Sequence, residues 1–344
     1  MRVGLIGLGG MANHHIRLLS EIEDAEIAAL CDVNTGVLKA TGERLNVKAL
    51  YDNYASIVQD PNVDCIISIV PNKFHAEVIA LCIEHRKPLM TEKPFTVTFE
   101  EAVDLEKRYR AAPIPCMVGF SYRYIPAFRY AKHMIEQGEI GEIRHLSLNY
   151  LQQWGAEMFE TPYSWRFSKE MSGSGALGDL GSHMIDTARF FAGEFASVTG
   201  VTRTFVPERK LPGMNEMGAV DVDDLSAFVA QLKNGAVGVF ATSRNAVGFG
   251  NHLQATVFGT KGTIEVNCER PNELKHWGPR EGEIDANLSV IGVPQTYDRN
   301  QLADFLRMAR GEEVAGAPTF MDGYYNQRIM DRLLKTAGNA AAID

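Results

Sequence analysis

The N-terminal run Val3-Gly4-Leu5-Ile6-Gly7-Leu8-Gly9-Gly10-Met11-Ala12 decides the fold. A short β-prone apolar stretch ends in glycines and opens a segment of helical spacing over residues 11–21. That context gives a G-x-G-x-x-G/A pattern physical meaning. Gly7 allows a tight turn, Gly9 lets the backbone approach a pyrophosphate, and Ala12 keeps helix and strand close. The N–H groups from Gly10 and Met11 onward then face the phosphates. A plain strand-to-helix loop shares this pattern, so the reading needs support elsewhere in the chain.

Support comes from Asp32, at the end of the second apolar run, near the spacing expected for an acid that grips a ribose diol. Its charge repels a 2′-phosphate, and Val33, Asn34 and Thr35 offer no arginine to receive one. NAD is therefore expected over NADP. The alternative for Asp32 is a cap on the next helix.

Working outward, residues 3–6, 26–31, 63–70, 88–91 and 116–120 read as strands alternating with helical segments, the pattern of a parallel sheet with right-handed crossovers. Thr98 and Glu101 have the form of a capping box ahead of a helix to about residue 110. After Phe120 strand-like runs follow one another. Lys233-Asn234-Gly235 and Gly259-Thr260-Lys261-Gly262 sit between such runs as hairpin turns. The expected architecture is an α/β Rossmann dinucleotide-binding domain (1–120) and an α+β domain with a large, mostly antiparallel open-faced sheet (121–319). A C-terminal helix (320–344) is expected to pack near the first domain. Residues 207–221 and 267–294 carry no clear period.

Hydrophobic residues at 45% and charged residues at 22% exclude a disordered chain. A net charge of −9, with no cluster of basic and aromatic residues, argues against a nucleic-acid partner. The apolar start is broken by Gly7, Gly9 and Gly10 and then Asn13, His14 and His15, unlike a secretory leader. No stretch approaches the roughly 20 apolar residues of a membrane span. Five cysteines lack C-x-x-C spacing, and Cys31, Cys65 and Cys116 lie in or beside apolar runs, which suits a cytoplasmic protein.

Three local patterns recur in order: Val70-Pro71-Asn72 leading to His75, Glu92-Lys93-Pro94, and Gly178-Asp179 leading to His183 and Asp186. With the glycine turn they make the chain resemble the glucose–fructose oxidoreductase/inositol dehydrogenase (Gfo/Idh/MocA) family over nearly its whole length, to Asp322-Gly323. From the residues alone, Lys93 stands at the C-terminal end of a parallel strand, where ligands bind in open α/β sheets. A surface loop lysine is the plainer alternative. The resemblance implies that Val70, Pro71, Asn72, His75, Glu92 and Lys93 line the cofactor. It also implies that Lys93 hydrogen-bonds the reacting hydroxyl and that Pro94 follows a cis bond.

Asp179, His183 and Asp186 fall at i, i+4 and i+7, one face of a helix, so two carboxylates are expected to flank an imidazole. Oxidising an alcohol needs a base of near-neutral pKa, for which histidine is suited. His183 is assigned that role, with Lys93 polarising the oxygen and Asp179 positioning substrate and base. A metal site and a buried histidine satisfied by a carboxylate are the alternatives; no metal is expected.

Substrate contacts are expected from the second domain, where aromatic, amide and guanidinium groups suit a small polyhydroxylated ring. Within the family the pattern is most like the levoglucosan dehydrogenase branch. That likeness implies that Tyr122, Gln152 and Trp154 touch substrate and that Trp165 and Arg166 lie near the nicotinamide end. The expected activity is NAD-dependent oxidation of a hydroxyl on a sugar, anhydrosugar or cyclitol. An NAD-dependent glycosidase acting by transient oxidation, and a non-catalytic dinucleotide-binding regulator, are the alternatives. An open sheet face with apolar residues implies a homodimer or homotetramer.

Overall fold

The computed structural model describes residues 1–279 and 286–337. They form two compact units, Met1–Phe120 with Asn300–Gln327, and Ser121–Arg299 with the described residues from Arg328 onward.

In the first unit the strands are β1 (Arg2–Ile6), β2 (Glu26–Cys31), β3 (Ala49–Tyr51), β4 (Cys65–Ser68), β5 (Leu89–Thr91) and β6 (Cys116–Val118). They pair in parallel in the order β3-β2-β1-β4-β5-β6, the doubly wound arrangement. The connecting helices are α1 (Ala12–Ser20), α2 (Thr35–Leu45), α3 (Tyr54–Gln59), α4 (His75–Glu84) and α5 (Phe99–Ala111). Helices on both faces require solidly apolar strands, and all four residues of β4, Cys-Ile-Ile-Ser, are buried. The capping box forms as expected: the Glu101 N–H donates to the Thr98 hydroxyl and the Thr98 N–H to the Glu101 carboxylate. Strand order reverses between β1 and β4, and the C-terminal ends of these strands are where ligands meet such sheets.

The second unit holds α6 (Pro126–Glu136), β7 (Ile143–Leu151), α7 (Lys169–Ser172), α8 (Ser182–Ala192), β8 (Phe195–Arg203) and a small ribbon of β9 (Glu208–Lys210) and β10 (Met217–Ala219). It continues through β11 (Leu225–Leu232), β12 (Val237–Ser243), β13 (His252–Gly259), β14 (Thr263–Asn267), β15 (Glu273–Pro279) and β16 (Ala286–Gly292). Eight strands form one sheet ordered β16-β15-β14-β13-β7-β12-β11-β8, antiparallel except between β7 and β12. Leu146, Leu148 and Tyr150 alternate inward along β7 and pack with Phe128 of α6 and Met184, Ile185 and Ala188 of α8. On the other face Val201, Val229, Val237 and Val239 are exposed.

Both hairpins form at the expected turns, with Gly235 at φ +87° where an L side chain is disfavoured. Residues 207–221 contain the β9/β10 ribbon. Residues 267–294 contain the β15/β16 pair, and 280–285 lie outside the described residues.

The chain after Asn300 departs from the expected boundary at 319. Helix α9 (Gln301–Ala309) belongs to the first unit, because its Leu302, Phe305 and Leu306 are buried and the Asn300 side chain donates to the Leu18 carbonyl. The segment leading into α10 (Phe320–Thr336) pairs with β6, the Val118 N–H donating to the Pro318 carbonyl. Helix α10 is itself divided: Phe320 joins the core of the first unit, while Ile329, Met330 and Leu333 join that of the second. The expected helix beyond residue 337 lies outside the described residues.

Candidate active site

In the first unit the backbone geometry explains the glycine turn. Gly7 has φ +92°, its N–H donates to the Cys31 carbonyl, and a Cβ there would lie 2.7 Å from the Ile69 carbonyl oxygen. Above Gly9 and Gly10 nothing lies within 4 Å of where a Cβ would stand. Ala12 is buried against the sheet, and Met11 precedes α1 without a side-chain cap, so the first helical N–H groups keep no side-chain acceptor. The Asp32 carboxylate accepts from the Leu8 N–H at 2.7 Å through one oxygen and from the Asn34 N–H at 2.8 Å through the other. This aims the acid at the turn. An open cradle, a helix start without a side-chain cap and an oriented carboxylate fit a dinucleotide. Helix α2 is capped by Asn34, not by Asp32.

Of the other predicted cofactor contacts, Val70, Pro71, Asn72, His75, Glu92 and Lys93 gather at or just beyond the ends of β4 and β5, whereas Trp165 and Arg166 belong to a 3₁₀ turn of the second unit. Val70 and Pro71 lead into a 3₁₀ turn, Asn72–Phe74. The Lys93–Pro94 bond is cis. His75 differs from expectation: its ring is fully buried, with Nδ1 2.8 Å from the Pro94 carbonyl and Nε2 2.9 Å from the Val70 carbonyl. Burial lowers its pKa. The side chain ties the β4 and β5 loops together instead of facing a ligand. Glu92 is likewise engaged within the protein, with Oε1 2.9 Å from His15 Nε2 and Oε2 accepting the Lys93 N–H at 3.3 Å.

In the second unit, Tyr122, Gln152, Trp154, Asp179 and His183 come together. Trp154 Nε1 donates to Gln152 Oε1 at 2.6 Å, and Gln152 Nε2 donates to Asn251 Oδ1 at 2.7 Å. The Tyr150 hydroxyl donates to the same oxygen at 2.7 Å, Asn251 Nδ2 donates to the Tyr122 hydroxyl at 3.1 Å, and the two phenols meet. The His183 ring stands edge-on to Tyr122, with centroids 4.7 Å apart. Burial pushes the Tyr122 phenol up to about 12 and raises Tyr150 further, and the Asp179 charge adds to both shifts. Both phenols are thus neutral hydrogen-bonding groups at ordinary pH.

The helix differs from expectation in its first turn. Leu177–Gly181 is a π-helical turn, which breaks the regular spacing between Asp179 and His183. Asp186 also accepts both Nε (2.8 Å) and Nη2 (2.6 Å) of buried Arg123. The π turn is held by Asp223, whose carboxylate accepts the N–H groups of Gly175 and Leu177 and the Ser226 hydroxyl. A Cβ at Gly175 would overlap the Asp223 carbonyl, so the glycine-rich stretch is what admits this clasp.

Arg244 belongs to none of the sequence motifs. Its guanidinium is 1% exposed, donates through Nη2 to Asp179 Oδ2 at 3.2 Å, and lies 5.0 Å from the Trp154 ring centroid. Nη1 donates to the Arg166 carbonyl at 3.3 Å, and the Arg166 side chain stacks on Trp165. No local motif marks Tyr150, Asn251, Asp223 or Arg244 as a site residue. The available signal was an arginine directly after an alternating strand that ends in Ser243. Among the described residues, no group of three or more His, Cys, Asp or Glu could hold a metal ion.

Residues 1–120 match the family model described as an oxidoreductase family with NAD-binding Rossmann fold, and residues 128–265 match the GFO/IDH/MocA C-terminal domain. The chain is 32% identical to levoglucosan dehydrogenase of Pseudarthrobacter phenanthrenivorans, covering 100% of this chain and 98% of the relative. It is 29% identical to myo-inositol 2-dehydrogenase of Thermotoga maritima over 77% of this chain and 74% of the relative. A solved levoglucosan dehydrogenase complex with NADH and levoglucosan is similar at a TM-score of 0.91 and 31% identity, covering 98% of this chain and 97% of that one. Fold and turn define an NAD-binding oxidoreductase. The chain belongs to the Gfo/Idh/MocA family.

Proposed function

We propose that this protein oxidises a secondary hydroxyl of a sugar, an anhydrosugar of the levoglucosan type or a cyclitol to a ketone. The observation that carries this reading is the second-unit cluster, in which His183 abuts a phenol–amide–indole chain and Asp179 is held by Arg244. NAD, when bound, supplies the acceptor for the hydride. His183 takes the hydroxyl proton, and Lys93 donates a hydrogen bond to the same oxygen. Asp179 orients substrate and base. Asn251 and Trp154 fix the Gln152 amide, its nitrogen toward Asn251 and its oxygen toward Trp154, so one rigid edge meets the ring hydroxyls. The named relatives act on levoglucosan and inositol, which supports this substrate class.

The test is NADH formation across levoglucosan, free hexoses, inositols and alkyl glycosides. Turnover of a polyol with net NADH supports the reading; glycoside hydrolysis without net NADH overturns it in favour of the glycosidase. His183→Ala should lower turnover by roughly 10²- to 10⁴-fold with NAD affinity unchanged. Retained turnover removes His183 from the mechanism. The exposed valines of β8, β11 and β12 support a dimer or tetramer through the open sheet face. Light scattering that finds monomer alone at micromolar concentration overturns that assembly.

A further inference from the structure

Glu92 sits in a box with three walls. One is the backbone N–H of Lys93, which donates to Oε2. The second is Gly119 at the end of β6, where a Cβ would stand 2.9 Å from Oε2 and 3.1 Å from Oε1. A carboxylate fits there because residue 119 has no side chain. The third wall is His15 of α1, 3% exposed, with Nε2 at 2.9 Å from Oε1. His15 lies one turn beyond Ala12, on the helix that the glycine turn opens.

We propose that His15 is a positioning residue: through Glu92 it fixes the strand end that carries Lys93 to the helix that carries the nucleotide turn. This rests on the reading of Lys93 as the donor to the reacting hydroxyl.

Two features favour positioning over simple core filling. His15 Nδ1 is buried with no hydrogen-bond partner among the described residues, a cost to stability that an apolar side chain would avoid. The carboxylate that His15 holds uses its other oxygen on the lysine's own N–H, so the imidazole is two hydrogen bonds from the Lys93 backbone. A shift of the strand end would move the lysine amine, and small misplacements of reacting groups are expensive in rate.

The experiment compares His15→Leu, His15→Gln and Gly119→Ala with the wild-type full chain. It measures amide hydrogen exchange of the peptide containing Lys93 without substrate, NAD dissociation constants, kcat, KM and melting temperature. His15→Leu should speed exchange at the Lys93 amide and lower kcat about tenfold or more, with NAD affinity within about threefold of wild type. His15→Gln, which retains a donor to Glu92, should recover most of both losses. Gly119→Ala, which displaces the carboxylate without altering either partner, should reproduce them.

Wild-type exchange and kcat in His15→Leu overturn the proposal. So does a His15→Gln variant as impaired as His15→Leu with the same fall in melting temperature, which assigns the residue to stability alone. If no substrate in the panel is oxidised, the dehydrogenase reading fails separately. Exchange at Lys93 then still decides the coupling, and an unchanged rate in His15→Leu overturns it.

Discussion

Arg244 and Asp179 form a lopsided pair: the guanidinium is 1% exposed, whereas the carboxylate it holds at 3.2 Å is 25% exposed. The buried cation holds an anion that reaches solvent. Arg244→Gln should therefore cost about 2 kcal/mol of stability and lower kcat/KM by roughly tenfold. Arg244→Lys should keep the charge but lose the planar fork that also reaches the Arg166 carbonyl. Denaturation midpoints and NADH-formation kinetics measure both, and a kcat/KM unchanged in Arg244→Gln would show that Asp179 needs no holder.

The Arg123–Asp186 pair is buried on both sides and doubly hydrogen-bonded. Removing either partner leaves an uncompensated charge, so Asp186→Ala should destabilise by about 3–5 kcal/mol. The double variant with Arg123→Ala should lose less than the sum of the single losses. Urea unfolding of the four proteins closes the cycle. A stable Asp186→Ala protein with selectively lost turnover would instead assign Asp186 a role in turnover.

Asp32 spends one lone pair of each oxygen on the backbone. Asp32→Ala should weaken NAD roughly tenfold or more and narrow the preference for NAD over NADP. Fluorescence titration with both cofactors tests this, and an unaltered preference would remove the acid from cofactor choice.

The pH dependence of the first unit should carry a signature of Asp64. The Arg2 guanidinium, with its backbone N–H, holds that carboxyl below its ordinary value. A depressed folded-state pKa stabilises the fold fully above the ordinary carboxylate range, and the contribution is lost as pH falls through the depressed value. Asp64→Asn should thus melt earlier than wild type at about pH 7, with the gap closing below about pH 4. A constant gap across that range would mean the proton is not the cause.

Much of the fold could be read locally. Gly7, Asp32, Thr98 with Glu101, and Asn234-Gly235 each carry their geometry in residue type and spacing, and each stands as its type requires. What the sequence hid depended on partners far along the chain. His75 looks like a ligand until its two carbonyl neighbours, Val70 and Pro94, are in view. The π turn before α8 is invisible to a 3.6-residue period, because Asp223, more than forty residues away, holds it. Asn251 and Arg244 belong to no local pattern, and α9 joins the first unit through Leu302, Phe305 and Leu306, whose spacing says apolar face but not which core. Residues of β3 and β16 are mostly intermediate or exposed, so neither shows the alternation of a half-buried strand.

In the eight-stranded sheet the parallel pairing of β7 with β12 places Leu151 beside Ser243, and β13 begins there too, with His252 opposite Leu151. Topology thereby manufactures proximity: Gln152, Arg244 and Asn251 leave three different strands at one margin of the sheet. Had β12 run the other way, Arg244 would emerge at the opposite margin, roughly 20 Å distant. Strand direction, more than any single side chain, is what gathers these polar groups along one edge.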